Sequence, residues 1–350
     1  MSEMIHFRMN GRQIDVADGT TLLEAARAMG VEIPTLCHIE GHTPFTSCMV
    51  CMVQEKASGR FLPACSAVAE QGWIVETDND AVRAQRRAAL ELLLSDHVGD
   101  CEAPCRRACP AGLNIPAMIR HIAAGELDAA RAVVGDAAAC RECQGPCEKV
   151  CRRRQVDQAV SIRELIRYVV STAPEGATGG ATPPAQRIPR PPSVLGRLAP
   201  EELHQLVALA SPDPRRERDP GHTVLTPEQA RREAARCLHC DCRKRVDCRL
   251  RQYAEAYAAR QSRYRGESRR PFTVDAGHPR VVFEPGKCIA CGICVRLARE
   301  HGEELGLTFQ GRGIDTTVSV PFGDGIAAGL VRSADACVRA CPTGALAYRR

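Results

Sequence analysis

The chain has 350 residues, a length typical of two or three domains, and 20 of them are cysteines. This cysteine content is too low for a small disulfide scaffold and too high for an ordinary intracellular enzyme. The net charge of +5 and the pI near 8.4 lie below the basicity of most nucleic-acid-binding domains. Because the sequence shows neither a secretory signal nor an apolar run of membrane-spanning length, we expect a cytoplasmic protein whose cysteines bind metal.

The N-terminal region contains strong local signals for strands and a helix. Residues 5–17 alternate in polarity around Asn10-Gly11, a dipeptide typical of a tight hairpin turn. Thr20 or Thr21 can begin a helix, since Glu24 stands at capping-box distance from Thr21. The pattern therefore predicts a strand–turn–strand unit followed by a helix.

The rest of the chain alternates between helical segments and cysteine-rich loops. A change to Pro, Gly and Ala between residues 172 and 222 indicates a linker, with one short helix at 200–210. Strand-like segments mixed with cysteine loops fill residues 272–350. A helix is predicted over residues 80–97 and another over 161–171, one or two short helices over 113–134, and helical segments around a group of cysteines over 226–262.

The first cysteine group consists of Cys37, Cys48, Cys51 and Cys65. Four thiolates on a loop beside a small strand–helix unit suit a 2Fe–2S cluster, which takes two ligands on each iron. The ten-residue gap after Cys37 resembles that of the N-terminal ferredoxin domain in the complex I large iron–sulfur subunit and in iron-only hydrogenases. A structural zinc site is the alternative, although such sites usually combine two closely spaced cysteine pairs and this group has one.

The second group begins at His97, three residues before Cys101, a spacing that resembles a histidine-ligated 4Fe–4S site of the same complex I family. Two cysteine runs follow. With the Asn-Ile-Pro sequence at 114–116, they resemble the helical N-terminal domain of the glutamate synthase small subunit and of dihydropyrimidine dehydrogenase. That resemblance implies two 4Fe–4S clusters with interleaved ligands. One would be bound by His97, Cys101, Cys105 and Cys151, and the other by Cys109, Cys140, Cys143 and Cys147. An ordinary histidine favoured by the helix dipole is the alternative for His97.

The third group, Cys237, Cys240, Cys242 and Cys248, falls within twelve residues. Both a 4Fe–4S cube and tetrahedral zinc accept four cysteines at this spacing, and His239 is a further candidate ligand. The run Glu-Ala-Ala-Arg-Cys-Leu-x-Cys resembles relatives of the glutamate synthase small subunit, and for this reason we favour the cube over zinc.

The fourth group combines Cys288, Cys291 and Cys294 with a distant Cys-Pro pair at 341–342, a pattern typical of a ferredoxin-like 4Fe–4S site. The segments KCIACGICVR and CPTGAL resemble the third cluster domain of the complex I subunit, and this resemblance implies Cys341 as the fourth ligand. Cys337 is the rival, because the 42 residues between Cys294 and Cys337 are close to the gap in that family.

These patterns and resemblances predict a multidomain α+β protein. It would contain an N-terminal β-grasp 2Fe–2S ferredoxin domain, a helical domain with two 4Fe–4S clusters and a C-terminal ferredoxin-like 4Fe–4S domain. The predicted segments are the first ferredoxin domain at 1–80, the helical domain at 81–171, the Pro-rich linker at 172–222, a helical cysteine segment at 223–265 and the last ferredoxin domain at 266–350.

The expected cofactors are one 2Fe–2S cluster and about four 4Fe–4S clusters. The sequence contains no nucleotide-binding glycine motif, hydrolase elbow or zinc-protease motif, and no residue is predicted to act as acid, base or nucleophile. The resemblances imply an electron-transfer subunit of a hetero-oligomer, with no substrate site of its own, no nucleic-acid binding and no direct membrane insertion. Its partners would be a flavoprotein that oxidises NAD(P)H and a second redox subunit of a formate dehydrogenase-, hydrogenase- or glutamate synthase-like complex.

Two other functions are compatible with the same residues. One is a self-sufficient iron–sulfur oxidoreductase with an open iron site. The other is a zinc-rich binding or scaffold protein that uses its positive charge on nucleic acid.

Overall fold

The computed structural model describes residues 4–98, 100–135, 140, 142–172, 200–217, 219–244, 247–264, 266 and 272–349. Most of the predicted linker, residues 173–199, lies outside these ranges. The described chain divides into two compact units. The first holds the described residues up to Val98 and those from 247 to 349, and the second holds those from 100 to 244.

The predicted N-terminal hairpin is confirmed. Strands β1 (Met4–Met9) and β2 (Arg12–Ala17) pair antiparallel along their whole length. The two residues between them, Asn10 and Gly11, have φ of 51° and 76°. Positive φ at both central residues gives the twist that joins two antiparallel strands tightly, which is why Asn-Gly is favoured there.

The hairpin extends into a five-stranded sheet in the order β2-β1-β5-β3-β4. The added strands are β3 (Met52–Glu55), β4 (Phe61–Pro63) and β5 (Ile74–Glu76), and only the β1–β5 pair is parallel. The fold is thus mixed α/β and begins with a sheet domain. The first helix, Leu22–Ala28, starts with the predicted Thr21–Glu24 capping box, and the second runs over Asp80–Ser95.

Short elements around cysteine loops make up the C-terminal half of the first unit. Its helices are Arg249–Ala256, Ile293–Glu300, Ile326–Gly329 and Ala334–Ala340. Its strands are β6 (Val281–Phe283), β7 (Thr308–Gln310), β8 (Thr317–Ser319) and β9 (Leu346–Tyr348), paired antiparallel as β6–β9 and β7–β8. Single turns of 3₁₀ helix occupy Pro285–Lys287, Gly313–Asp315 and Pro321–Gly323.

The described elements of the second unit are helices around one apolar core. They are Pro104–Ala108, Ile115–Ala124, Leu127–Val134, Pro146–Lys149, Ile162–Ser171, Pro200–Val207 and Pro227–Ala235, with a 3₁₀ turn at Arg152–Gln155. Residues 113–134, predicted to form one or two short helices, form two, which are separated at Gly125, whose φ of 78° ends the first. Helix Pro227–Ala235 packs against both Ile115–Ala124 and Ile162–Ser171.

The C-terminal part of the predicted linker is held on the second unit by backbone hydrogen bonds. Ser211 N–H donates to the carbonyl of Ala235 over 2.9 Å, and Arg216 N–H donates to the Glu233 carboxylate over 2.5 Å. This segment therefore packs along helix Pro227–Ala235. Within the described ranges, the structure contains no helix with the length and apolar character needed to cross a membrane.

Candidate iron–sulfur centres

The first cysteine group is assembled by the sheet of the first unit. Cys51 directly precedes β3 and Cys65 follows β4, so the pairing of these strands places the two cysteines side by side. Ala64 N–H donates to the carbonyl of Cys51 over 3.1 Å and closes this end of the hairpin. Cys37 and Cys48 lie on the preceding loop, and all four cysteines are at most 3% exposed.

The four thiols of this group contact one another. The Cys48 thiol, with that of Cys65, donates to the Cys37 sulfur and lowers the pKa of Cys37, and Cys65 likewise lowers the pKa of Cys51. The donors Cys48 and Cys65 have raised pKa values, because ionisation would remove these hydrogen bonds. Four buried, converging sulfur donors fit a 2Fe–2S cluster, which supplies one-electron transfer when bound.

The long segment between Cys37 and Cys48 packs on the C-terminal half of the same unit. The Phe45 ring forms an edge-to-face pair with Phe309, with centroids 6.0 Å apart, and the Arg296 guanidinium lies 4.3 Å from the Phe45 centroid. A Cβ added to Gly292 would stand 2.5 Å from the Phe45 ring, and Gly292 has a φ of 74°. Gly292 is therefore required both for its backbone conformation and for the approach of Phe45.

Polar contacts hold the same segment in place. His42 Nε2 lies 2.7 Å from the Glu300 carboxylate, a contact that raises the pKa of His42, and the Arg296 guanidinium donates to the carbonyl of Thr43. Consequently Cys37 and Cys291 lie in one buried apolar cluster of the first unit. The ten-residue gap thus brings the first cysteine group next to the fourth.

We expect Phe45→Ala to lower the free energy of unfolding by about 1–2 kcal/mol, the usual value of an aromatic pair plus a cation–π contact. Phe322, which is 90% exposed, supplies a matched control, and Phe322→Ala should change stability by less than about 0.5 kcal/mol. Urea unfolding of both variants measures the difference. Equal losses in the two variants would contradict this account of the docked segment.

The fourth group is built around a turn and two helices of the first unit. Ala290, with a φ of 51°, directs its N–H to the Cys288 sulfur over 3.3 Å, and Cys294 lies in helix Ile293–Glu300. Burial is the main cause that raises the pKa of both Cys291 and Cys294, and the Cys341 thiol is a charged neighbour of each. Cys341 therefore lies near two of the three cysteines of the turn.

The rival cysteine, Cys337, is also a charged neighbour of Cys294. Cys337 is fully buried within helix Ala334–Ala340, and its thiol donates to the carbonyl of Cys294 over 3.7 Å. Burial raises the pKa of Cys337 to about 11. Cys337 behaves as a packed core residue that ties two helices together, whereas Cys341 is half-buried next to Thr343.

Four predicted ligands meet in the second unit: Cys109, Cys140, Cys143 and Cys147. Cys109 ends helix Pro104–Ala108, against which the short helix carrying Cys147 packs. Burial raises the pKa of Cys147 to about 12 and also raises that of Cys140, and the charges of Cys109 and Cys143 act on both thiols in the same direction. The structure thus brings together the whole predicted set.

Cys105 and Cys151 have two cysteines of the third group as neighbours. Together with Cys237 and Cys240 they line one cavity of the second unit. Burial raises the pKa of Cys105 well above its usual value, and the charges of Cys240, Cys237 and Cys151 raise it further. The sequence patterns place these two pairs of cysteines in different clusters, whereas the structure places them around the same cavity.

The other predicted ligands are distributed over both units. His97 and Cys248 belong to the first unit, and Cys101 and Cys242 to the second. His97 is buried at the end of its helix, where its carbonyl accepts a 3.0 Å hydrogen bond from the Gln261 side chain. All four remain predicted ligands.

Single metal ions and clusters require different ligand spacings. Among the described residues, no three or more His, Cys, Asp or Glu side chains are grouped so as to hold one metal ion. A 4Fe–4S cluster takes one cysteine on each of its four irons, so its ligands stand further apart than those of a single ion.

Three features beside these groups have no signal in the sequence. They are the packing of Phe45 on Gly292, the N–H of Ala290 aimed at a sulfur, and the buried Arg152 guanidinium next to Cys240. The first two depend on positive φ, and the third depends on a contact between distant segments. The spacing of residues along the sequence predicts neither a positive φ nor a contact between distant segments.

Two segments of the chain match known protein families. Residues 2–80 match the family described as a 2Fe-2S iron-sulfur cluster binding domain. Residues 92–177 match the family described as dihydropyrimidine dehydrogenase domain II, 4Fe-4S cluster. Both segments are iron–sulfur domains. The resemblances seen in the motifs are thereby confirmed for the 2Fe–2S domain and for the dihydropyrimidine dehydrogenase-like 4Fe–4S domain.

Several curated proteins are similar to parts of the chain. An NADH-quinone oxidoreductase subunit of Rhizobium meliloti is 36% identical over 98 residues, which are 28% of this chain and 12% of that protein. NADP-reducing hydrogenase subunit HndD of Solidesulfovibrio fructosivorans is 34% identical over 103 residues, 28% of this chain and 18% of that protein. NADPH-Fe(3+) oxidoreductase subunit alpha of Geobacter sulfurreducens is 34% identical over 109 residues, 31% of this chain and 12% of that protein. The chain thus spans less than a fifth of the length of each of these relatives.

A chain in the crystal structure of an NAD+-reducing [NiFe]-hydrogenase in the H2-reduced state has a similar fold. The TM-score is 0.52 at 19% identity, over 99% of this chain and 87% of that one. At this identity the similarity concerns the fold alone.

Proposed function

We propose that this chain is an electron-relay subunit that passes single electrons between a flavoprotein handling NAD(P)H and a second redox subunit. It would carry one 2Fe–2S cluster and about four 4Fe–4S clusters within a hetero-oligomer. The names of its relatives support this proposal, since they are subunits of an NADH-quinone oxidoreductase, an NADP-reducing hydrogenase and an NADPH-Fe(3+) oxidoreductase. The second partner would be a formate dehydrogenase-, hydrogenase- or glutamate synthase-like subunit.

The observation that carries the proposal is the proximity of the first and fourth cysteine groups. Cys37 and Cys48 of the first group share one buried apolar core with Cys291 of the fourth. Side chains that exclude water between two redox centres also help to set their potentials, because burial and hydrogen bonds to sulfur are the main determinants of potential. The chain's own residues therefore position the two groups and control their surroundings.

The proposed ligands are the residues singled out in the sequence, with Cys341 in place of Cys337 in the fourth group. The position of Cys341 beside Cys291 and Cys294 supports that choice. The proposed segments keep the boundaries given above. The match to a 2Fe–2S domain over residues 2–80 supports the first segment, and the match over 92–177 overlaps the second.

Reductive titration of the anaerobically purified full chain tests the proposal. Dithionite should deliver about one electron to each cluster, about five per chain, and electron paramagnetic resonance (EPR) should show both 2Fe–2S and 4Fe–4S signals. NADH alone should leave the clusters oxidised, because the nicotinamide site belongs to the partner. Reduction by NADH without a partner would favour the self-sufficient oxidoreductase. Bound zinc without acid-labile sulfide would favour the scaffold protein and reject the relay.

A further inference from the structure

We propose that Cys105, Cys151, Cys237 and Cys240 together bind one 4Fe–4S cluster, so that the segment after the linker completes a site of the helical domain. This inference rests on the proposed function, since it assigns ligands within an iron–sulfur protein. It differs from the expectation that the third cysteine group forms a site on its own. It takes no ligand from His97, Cys101, Cys242 or Cys248.

The first argument is the cavity that these cysteines share. All four line one cavity of the second unit, whose other walls are largely apolar, with Pro116, Ile119 and Ile162 among them. The exposed surface of the cavity is nearly all carbon and sulfur, which suits a cluster that binds through sulfur and needs protection from water. Four sulfur ligands from separate chain segments are the number that a 4Fe–4S cube requires.

The second argument is the conformation of the turn between Cys237 and Cys240. His239 has a φ of 45° and its N–H donates to the Cys237 sulfur over 3.5 Å. The turn from Cys288 to Cys291 has the same arrangement, with Ala290 at a φ of 51° and a 3.3 Å bond to Cys288. An N–H aimed at a cysteine sulfur stabilises the thiolate, the form that binds iron.

The third argument is the charge around the cavity. The Arg152 guanidinium lies next to Cys240 and donates to its carbonyl over 3.5 Å, and it also pairs with the buried Asp100. Arg120 binds Asp241 through two hydrogen bonds of 2.9 Å. A cluster with four thiolates carries a net negative charge, so a buried cation at its edge lowers the cost of placing that charge inside the protein.

Packing explains how the distant pair reaches the site. Helix Pro227–Ala235 is anchored on helices Ile115–Ala124 and Ile162–Ser171, and its C-terminal end leads directly into Cys237. Cys105 lies in helix Pro104–Ala108, and Cys151 precedes the 3₁₀ turn at Arg152–Gln155. The helix packing therefore fixes the position of Cys237 relative to Cys105 and Cys151.

The test compares Cys105→Ala/Cys151→Ala, Cys237→Ala/Cys240→Ala and the quadruple variant of the full chain. Iron, acid-labile sulfide and the EPR spectrum of the dithionite-reduced protein are measured for each. We expect each pair to lose about four irons and the same EPR signal, and the quadruple variant to lose no more than either pair. Additive loss of about eight irons, or loss of a different signal in each pair, would overturn the shared site.

Cys337→Ala supplies the control for loss of a cysteine, because Cys337 lies outside every proposed ligand set and its thiol donates to a backbone carbonyl. The signal lost in the pairs should persist in this variant, and its disappearance would show that loss of the signal does not report the proposed ligands. The 2Fe–2S signal of residues 2–80 reports whether each variant still folds. If the pairs fail to fold, single Cys105→Ser and Cys237→Ser variants replace them, and both should shift one and the same signal. Additive iron loss would leave the relay proposal intact, whereas zinc without sulfide in the unaltered chain would reject both.

Discussion

Cys341→Ala should remove about four irons per chain, whereas Cys337→Ala should remove none. The two cysteines stand four positions apart, at one end of helix Ala334–Ala340 and within it, and they differ in what their sulfur atoms face. Cys341 adjoins Cys291 and Cys294, while Cys337 donates its thiol hydrogen to a backbone carbonyl in the core. We therefore expect only Cys341 to bind a metal that the turn also binds.

The free energy of unfolding should fall more in Cys337→Ala than in Cys341→Ala. Cys337→Ala removes a fully buried sulfur and its hydrogen bond, which should cost about 1–3 kcal/mol of unfolding free energy without loss of iron. Iron and sulfide assays, with urea unfolding of the same samples, separate these effects. Loss of four irons in Cys337→Ala with full retention in Cys341→Ala would exchange the roles of the two residues.

The sequence predicts those features that depend only on residues close together in the chain. The Asn10-Gly11 turn and the Thr21 cap are predictable because their backbone conformations follow from the residues within them. The same holds for Cys237-x-x-Cys240 and Cys288-x-x-Cys291, whose spacing already indicates a ligand pair. Closely spaced cysteines therefore predict candidate ligand pairs.

The sequence does not show which distant pair completes each site. Cys105 and Cys237 are separated by more than a hundred residues, and their meeting depends on how one helix packs on two others. The ten-residue gap after Cys37 resembles that of a known family. The structural role of this segment becomes clear only from the packing of Phe45 on Gly292. These contacts between distant segments result from tertiary packing, which no local sequence pattern predicts.

A buried ion pair next to Cys237 connects stability with the proposed shared site. Arg236 is 0% exposed, and its guanidinium binds the Glu233 carboxylate over 2.9 Å and Asp157 over 3.0 Å. It also donates to the carbonyls of Asp213, Ala159 and Gln158. Glu233 is equally buried and accepts from the N–H of Ser161 and of Arg216. These bonds join the end of the linker, helix Pro227–Ala235 and the segment before helix Ile162–Ser171.

Arg236→Met should lower the free energy of unfolding by about 3–5 kcal/mol, because it leaves the Glu233 carboxylate buried without its cation. Adding Glu233→Gln should recover part of that loss, since the amide is neutral and its oxygen can still accept one of the two N–H hydrogen bonds, which reach different oxygens of the carboxylate. Chemical unfolding of the single and double variants measures both effects. If the double variant is less stable than Arg236→Met alone, the loss comes from the removed hydrogen bonds and packing, not from an uncompensated charge. Because Arg236 directly precedes Cys237, iron retention in the more stable double variant would also show that the charge pair is not needed to hold that cysteine in its site.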